Sequence, residues 1–154
     1  MGSGKSTIGR LLDPDLIDMD SLLEEELGMP ISAFFQEVGQ AVFREKEGQL
    51  LSRLVNQEGW VSTGGGIVTS SSNRSILKKG WVVYLEADFE TIYSRLRRDK
   101  DNQRPLFINL SKEEFQALFR ERQAYYQEVA DLVIQVGGKT PEDIAKEITC
   151  ALLT

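Results

Sequence analysis

The chain has 154 residues, a net charge of −6 and no histidine. The acidic balance disfavours binding to DNA, RNA or an anionic membrane, because those partners need a cationic surface. The absence of histidine excludes histidine general bases, Ser-His-Asp triads and histidine metal ligands. No run of residues approaches the roughly 18 apolar residues of a membrane span, and the N-terminus lacks the apolar core of a signal peptide. The lone cysteine, Cys150, cannot form an intrachain disulfide, which fits a reducing cytoplasm, and we expect it to be a small buried hydrophobe.

The pattern alternates between helix and strand, which predicts an α/β fold with a parallel sheet covered by helices. The elements of the first half are a helix at 5–12, a strand at 16–18, a helix after Asp20, a helix at 31–37, a helix at 40–56 and a strand at 60–63. Those of the second half are a helix at 73–79, a strand at 81–85, a helix from Asp88 to about Arg98, a helix at 112–128, a strand at 132–136 and a last helix with Thr140 as N-cap and Pro141 at its first position. No repeat or linker interrupts them, so residues 1–154 are predicted to form a single domain.

The N-terminal segment reads as the end of a Walker A phosphate loop: Gly2-Ser3-Gly4-Lys5-Ser6-Thr7. Its glycines let backbone N–H groups converge on phosphate oxygens, and the lysine supplies a point charge. The Ser6 hydroxyl can ligate Mg²⁺, and the following helix directs its positive end at the phosphates. The alternative is a glycine-rich N-terminal tail; the apolar helix that follows favours nucleotide binding.

Two carboxylates, Asp18 and Asp20, follow the second candidate strand. Ligands of open α/β sheets bind at this carboxyl edge. Residues spaced i and i+2 on an extended segment point in the same direction, so both carboxylates are expected to face one cleft. The alternative role is helix capping by Asp20, and the two roles are compatible.

A glycine run, Gly64-Gly65-Gly66, lies between a strand and a helix. Bare backbone lets a substrate approach closely, although a plain flexible turn is the alternative.

Three arginines scattered along the sequence are further candidates because of their sequence neighbours, although isolated arginines are usually solvated surface residues. Arg44 precedes Glu47 by three residues, so a pair on one helix face would fix its guanidinium. Arg104 stands beside Pro105 in a polar loop of about 99–110, long enough to be a lid. Arg122 lies on the helix after that loop.

Five motifs in this order resemble those of shikimate kinases, and the match runs nearly end to end. They are Met-Gly-Ser-Gly-Lys-Ser-Thr at 1–7, Ile-Asp-Met-Asp at 17–20, Phe-Arg-Glu-Lys-Glu at 43–47, Thr-Gly-Gly-Gly at 63–66 and Arg-Pro-Leu at 104–106. The resemblance implies a three-layer P-loop kinase fold with a five-stranded parallel sheet, a substrate-binding region at about 20–57 and a lid at about 99–112. It implies that ATP phosphorylates the 3-hydroxyl of shikimate in a cytoplasmic, monomeric, Mg²⁺-dependent enzyme of aromatic amino-acid biosynthesis.

The resemblance also implies roles for individual residues. The catalytic residues would be Lys5, Asp20 and Arg104. ATP would be bound by Gly2, Ser3, Gly4, Lys5, Ser6, Thr7 and Arg104, with Pro141 and either Arg97 or Arg98 on the two sides of the adenine. Shikimate would be bound by Asp20, Phe35, Phe43, Arg44, Glu47, Gly64, Gly65, Gly66 and Arg122, and Mg²⁺ by Ser6 and, through water, Asp18.

One departure from the family concerns the start of the chain. The family's first strand, which is central in the sheet, and the first glycine of its phosphate loop do not occur in this sequence. We therefore expect a gap in the centre of the sheet. Two other functions stay open at this point: a kinase-like binding module without turnover, and another small-molecule kinase such as a gluconate kinase.

Overall fold

The computed structural model describes residues 4–98 and 110–154. Eight α-helices occur in these ranges: α1 (Lys5–Leu12), α2 (Met19–Leu27), α3 (Ile31–Glu37), α4 (Gln40–Leu54), α5 (Ser71–Leu77), α6 (Phe89–Arg98), α7 (Lys112–Val129) and α8 (Pro141–Leu153). A 3₁₀ helix, Gly65–Thr69, follows the second strand. The predicted helices are thus confirmed to within two residues at their ends, and the 3₁₀ helix replaces the turn expected at the glycine run.

Four short strands form two separate parallel pairs in the described part of the chain. β1 (Ile17–Asp18) pairs with β2 (Val61–Ser62), so that Ile17 lies opposite Val61. β3 (Val83–Glu86) pairs with β4 (Leu132–Gln135), so that Val83 lies opposite Leu132. The two pairs do not join into one sheet within these residues, in agreement with the gap expected at its centre.

Each strand pair has its own cluster of buried apolar side chains. The cluster beside β1 and β2 is built mainly from α2 and α4 and includes Met19, Leu23 and Leu50. The cluster beside β3 and β4 is built from α1, α6, α7 and α8 and includes Ile8 and Ile148. Full burial of one such side chain contributes about 1.5–3 kcal/mol to folding, so these clusters are the main stabilising feature.

Side-chain caps set the start of several helices. Ser111 Oγ accepts a hydrogen bond from the N–H of Glu114 at the start of α7, and Thr140 Oγ1 accepts one from Asp143 at the start of α8. Each such cap stabilises its helix by about 1 kcal/mol. The prediction of Thr140 as N-cap and Pro141 as the first helical residue is confirmed.

The last helix shows that the expectation for Cys150 was wrong. Cys150 is exposed, because α8 buries the face that carries Ile144 and Ile148. A residue two positions after Ile148 is rotated by about 200° and faces the opposite side of the helix.

Among the described helices, none is long and apolar enough to cross a membrane.

Candidate active site

Asp18 and Asp20 lie in different elements at the carboxyl end of β1. Asp18 ends the strand, and its Oδ1 accepts hydrogen bonds from the N–H groups of Asp20 (3.1 Å) and Ser21 (3.4 Å). The N-cap of α2 is therefore Asp18, and the alternative that gave this role to Asp20 is wrong. The helix begins at Met19, so Asp20 lies in its first turn and the two aspartates do not share an extended segment.

The glycine run lies against the side chains of Asp20 and Arg44. A Cβ atom built on Gly64 would come within 2.8 Å of Asp20 Oδ1 and 3.5 Å of Glu47 Oε2. A Cβ atom on Gly66 would overlap Arg44 Nη2 and lie 2.7 Å from its Cζ. Neither glycine has a positive φ, so space for neighbouring side chains, rather than backbone conformation, requires glycine here.

The guanidinium of Arg44 is held on the face of α4 by Glu47 and by two aromatic rings. Nη1 donates a 2.8 Å hydrogen bond to Glu47 Oε1, and the two side chains are 13% and 1% exposed. The Arg44 Cζ atom also lies 5.2 Å from the ring centroid of Phe43 and 5.9 Å from that of Phe35. Because the pair is largely removed from water, its Coulomb attraction is stronger than that of a surface ion pair, and the desolvation of both charges opposes this gain. The predicted i, i+3 pair is confirmed.

Arg122 completes a cluster of two cations and two carboxylates. It is 2% exposed and lies on α7. Burial raises the pKa of Glu47 above its usual value, an effect that Arg44 opposes, while the charge of Asp20 raises the pKa and that of Arg122 lowers it. Since all three charges act on Glu47, the structure places Asp20, Arg44, Glu47 and Arg122 in one electrostatic neighbourhood.

Two residues that the sequence analysis did not assign to the site connect α7 to the 3₁₀ helix that begins within the glycine run. The Tyr126 hydroxyl donates a 2.6 Å hydrogen bond to the carbonyl oxygen of Gly65. Arg74 donates to the carbonyl oxygen of Val68 at 2.7 Å and pairs with Glu128 at 3.0 Å. Tyr126 lies one helical turn after Arg122, and this spacing in the sequence could have indicated that Tyr126 faces the site.

The start of α1 carries the described part of the predicted phosphate loop. Gly4 has φ 85° and caps the helix without a side-chain hydrogen bond, and Lys5, Ser6 and Thr7 form its first turn. Anions are favoured at such an end by the orphan N–H groups and the helix dipole. Gly2 and Ser3 lie outside the described residues.

The predicted adenine and lid residues are placed only in part. Arg97 and Arg98 occupy the last turn of α6, both exposed, and the Arg97 Cζ atom is 5.7 Å from the ring centroid of Tyr93. Pro141 opens α8. Arg104 and most of the predicted lid, residues 99–109, lie outside the described residues.

Comparison with known proteins identifies the family. The family model described as shikimate kinase matches residues 1–153. The chain belongs to the shikimate kinase family. It is 46% identical over 152 residues to the shikimate kinase of Streptococcus gordonii, covering 97% of this chain and 94% of that protein. It is 43% identical over 149 residues to that of Lactococcus lactis, covering 96% and 91%.

Solved structures of shikimate kinases have the same fold. The shikimate kinase from Acinetobacter baumannii in complex with shikimate superposes with a TM-score of 0.88 and 33% identity, over 99% of this chain and 88% of that one. The enzyme from Aquifex aeolicus gives a TM-score of 0.80 and 33% identity, over 99% and 91%. The family, the enzyme class and the α/β P-loop kinase fold inferred from the motifs are thereby confirmed, whereas the role of each residue stays a prediction.

Proposed function

We propose that this chain transfers the γ-phosphoryl group of ATP to the 3-hydroxyl of shikimate, giving shikimate 3-phosphate and ADP. Membership of the shikimate kinase family supports a kinase with ATP as co-substrate, and a relative was solved with shikimate. The observation that carries the proposal is that Asp20 and Arg44 lie beside Gly64 and Gly66, and that their charges and the charge of Arg122 all act on Glu47. A carboxylated polyol needs both kinds of group, cations for its carboxylate and an acceptor for its hydroxyl.

Arg44 and Arg122 would bind the carboxylate of shikimate. Charge-assisted hydrogen bonds from a planar guanidinium match the two oxygens of a carboxylate. Arg44 is held ready by Glu47 and by the rings of Phe35 and Phe43. This preorganisation lowers the entropy lost when the ligand binds. The rings of Phe35 and Phe43 would supply an apolar wall for the carbocyclic ring of shikimate.

Asp20 would orient the attacking hydroxyl and accept its proton late in the reaction. Phosphoryl transfer requires mainly positioning and neutralisation of charge, so a strong base is not needed. The carboxylate of Asp20 lies next to Gly64, and the absence of a side chain at positions 64 and 66 leaves room for Asp20 and Arg44. The glycine run would thus serve substrate binding through the side chains that it accommodates.

The phosphate groups would be bound at the start of α1. Residues 2–7 would donate backbone N–H groups, Lys5 would place a positive charge at the β- and γ-phosphates, and Arg104 would add a second charge. Arg97 or Arg98, with Pro141, would flank the adenine.

Ser6 and Asp18 would hold the magnesium ion. The Ser6 hydroxyl and the Asp18 carboxylate offer the hard oxygen donors that Mg²⁺ prefers. In residues 4–98 and 110–154, no group of three or more His, Cys, Asp or Glu could form a protein-only metal cage. This donor set suits an ion held by one or two side chains together with ATP phosphates, where it would neutralise phosphate charge.

Measurement of ADP release with three acceptor conditions tests the proposal. We expect turnover with shikimate and ATP–Mg²⁺ and only background release with gluconate or without acceptor. Mass spectrometry of the product should show shikimate heavier by one phosphoryl group. Shikimate binding without turnover would instead support a kinase-like binding module. The predicted monomer and the cytoplasmic location stay predictions, and light scattering of the purified chain tests the first.

A further inference from the structure

The short helix α5 packs against both α4, which carries Arg44, and α7, which carries Arg122. Ser70 joins α5 to the 3₁₀ helix, since it ends that helix and caps the start of α5. The N–H of Asn73 donates to Ser70 Oγ at 3.4 Å, and the N–H of Arg74 donates to the Ser70 carbonyl oxygen at 3.0 Å. The backbone at positions 73 and 74 is therefore fixed relative to the end of the 3₁₀ helix.

Asn73 brings α5 against the backbone of α4. Asn73 is 2% exposed, and a Cβ atom built on Gly48 would lie 2.5 Å from its Oδ1 atom. The glycine thus leaves the space that the amide occupies. Gly48 is four residues after Arg44, so the two lie on the same face of α4 and about 6 Å apart along its axis. The contact of Asn73 therefore fixes α5 relative to the turn that carries Arg44.

Arg74 attaches α5 to α7 through two different side chains. Its Nε donates a 3.0 Å hydrogen bond to Glu128 Oε2, and its Cζ lies 4.0 Å from the ring centroid of Tyr125. The Arg74 side chain is only 16% exposed, so solvent and salt screen the pair less than they would at the open surface. Tyr125 is three residues after Arg122, a spacing at which side chains are neighbours on a helix. Arg74 therefore holds the part of α7 that carries Arg122.

The same guanidinium group also contacts the 3₁₀ helix. Arg74 Nη1 donates to the carbonyl oxygen of Val68 at 2.7 Å. Val68 is two residues after Gly66, where the absence of a side chain leaves room for Arg44. Because a guanidinium is planar and presents its donors in fixed directions, one rigid group sets the position of the 3₁₀ helix relative to α7.

We propose that Asn73 and Arg74 are positioning residues that set the separation between the guanidinium groups of Arg44 and Arg122, so that both can bind one carboxylate. The inference rests on the proposed function, in which these two arginines bind the carboxylate of shikimate. Two adjacent residues of one short helix contact the two helices that carry the arginines, so the spacing of those helices depends on α5. Accurate spacing matters, because a misplacement of about 1 Å can cost roughly 100-fold in rate.

The preference for shikimate over its methyl ester measures recognition of the carboxylate separately from stability. This preference is the ratio of the two kcat/KM values, and a smaller folded fraction lowers both values in the same proportion. Arg74→Met removes the guanidinium but keeps an apolar side chain. It should lower the wild-type preference by at least about fivefold, because a charge-assisted contact is weakened, and leave the KM for ATP nearly unchanged. A wild-type preference in Arg74→Met would overturn the proposal.

Lys78→Met is the matched control for the loss of charge. Lys78 ends α5 and pairs with the same carboxylate, Glu128, at 3.5 Å, but its side chain is 52% exposed. It should keep the wild-type preference, and an equal loss in Lys78→Met and Arg74→Met would show that charge rather than position matters and would overturn the proposal. If Arg74→Met does not fold, Arg74→Lys takes its place, because an ammonium cannot reproduce the fork of donors. An unchanged preference in that variant would overturn the proposal.

Gly48→Ala tests the contact on α4. Its new Cβ atom would displace the buried amide of Asn73 and should lower the preference for shikimate. Addition of Asn73→Ala to this variant should restore part of the preference, because the Cβ atom at position 48 then occupies the space of the amide. No loss in Gly48→Ala, or a loss that the double variant does not reverse, would overturn the role assigned to Asn73.

The wild-type values separate this inference from the proposed function. A wild type that prefers shikimate to the ester, with variants that prefer it equally, would overturn only the positioning role. A wild type that phosphorylates shikimate and its ester equally well would contradict carboxylate binding by Arg44 and Arg122, and would overturn the positioning role with it.

Discussion

The guanidinium group of Arg44 occupies the position where a side chain on Gly66 would begin. Gly66 belongs to the 3₁₀ helix after β2, and Arg44 lies on α4, where Glu47 fixes its orientation through a 2.8 Å hydrogen bond. The backbone of Gly66 does not have a positive φ. The absence of a side chain at position 66 is therefore what allows Arg44 to occupy its place beside the proposed substrate.

Gly66→Ala should raise the KM for shikimate by about tenfold or more and leave the KM for ATP nearly unchanged. The new Cβ atom would displace the Arg44 guanidinium, and loss of a charge-assisted contact costs about 1.5–3 kcal/mol. Gly137→Ala is the matched control, because a Cβ atom there meets nothing within 4 Å and φ is not positive. Steady-state kinetics that show equal effects on both substrates would contradict the assignment.

Asp20→Asn should lower kcat by about tenfold or more while leaving ATP affinity nearly intact, because positioned proton transfer contributes at least this much to many reactions. The amide keeps the shape of the side chain but cannot accept the hydroxyl proton. Single-turnover rates and ATP titration of the same variant separate the two effects. A large loss of ATP affinity would assign Asp20 to the metal instead. Asp15→Asn, at an exposed position, is the control.

Tyr126→Phe should lower the melting temperature by about 2–4 °C, because loss of one intramolecular hydrogen bond costs roughly 1 kcal/mol. The variant removes the bond to Gly65 and with it the direct link between α7, which carries Arg122, and the glycine run. The KM for shikimate should rise as well. Tyr125→Phe offers a comparison on the same helix, since its hydroxyl makes a long, exposed hydrogen bond of 3.5 Å to Glu121. Similar losses in both variants would count against a specific role for Tyr126.

The sequence predicted those parts of the site that depend on neighbours along the chain. The Arg44–Glu47 pair follows from helical spacing, and the start of α8 follows from Thr140 and Pro141. The bond between Tyr126 and Gly65 joins residues 61 positions apart, and no local pattern encodes such a distance. The sequence did not identify Asp18 as the N-cap of α2. A shift of one residue in the end of the preceding strand changes which side chain reaches the free N–H groups, and the sequence does not fix that end so closely.

Glu47→Gln should become progressively more stable relative to the wild type as the pH rises from about 4.5. Burial raises the pKa of Glu47 above its usual 4.5 in the folded protein, so the folded state binds this proton more tightly than the unfolded state does. The resulting stabilisation is complete below the unfolded pKa and is lost as the pH rises through the folded pKa. Glutamine cannot ionise, so the variant does not lose stability by this route as the pH rises.

Melting temperatures of both proteins across this pH range provide the measurement. A difference that stays constant, or that moves in favour of the wild type at higher pH, would contradict the raised pKa. Glu58→Gln, at an exposed position, should follow the wild-type trend. The Glu47 variant should also show a higher KM for shikimate, because Arg44 loses the carboxylate that orients it.

The central claim is that Arg44 and Arg122 bind the carboxylate of shikimate. The most direct measurement compares kcat/KM for shikimate and for its methyl ester in the wild type, in Arg44→Ala and in Arg122→Ala. The wild type should prefer shikimate by about 10- to 100-fold, the value of a charge-assisted contact. Each alanine variant should lose most of that preference, while Arg53→Ala, an exposed arginine paired with Glu26, should keep it. A preference that survives in both Arg44→Ala and Arg122→Ala would show that the carboxylate is bound elsewhere.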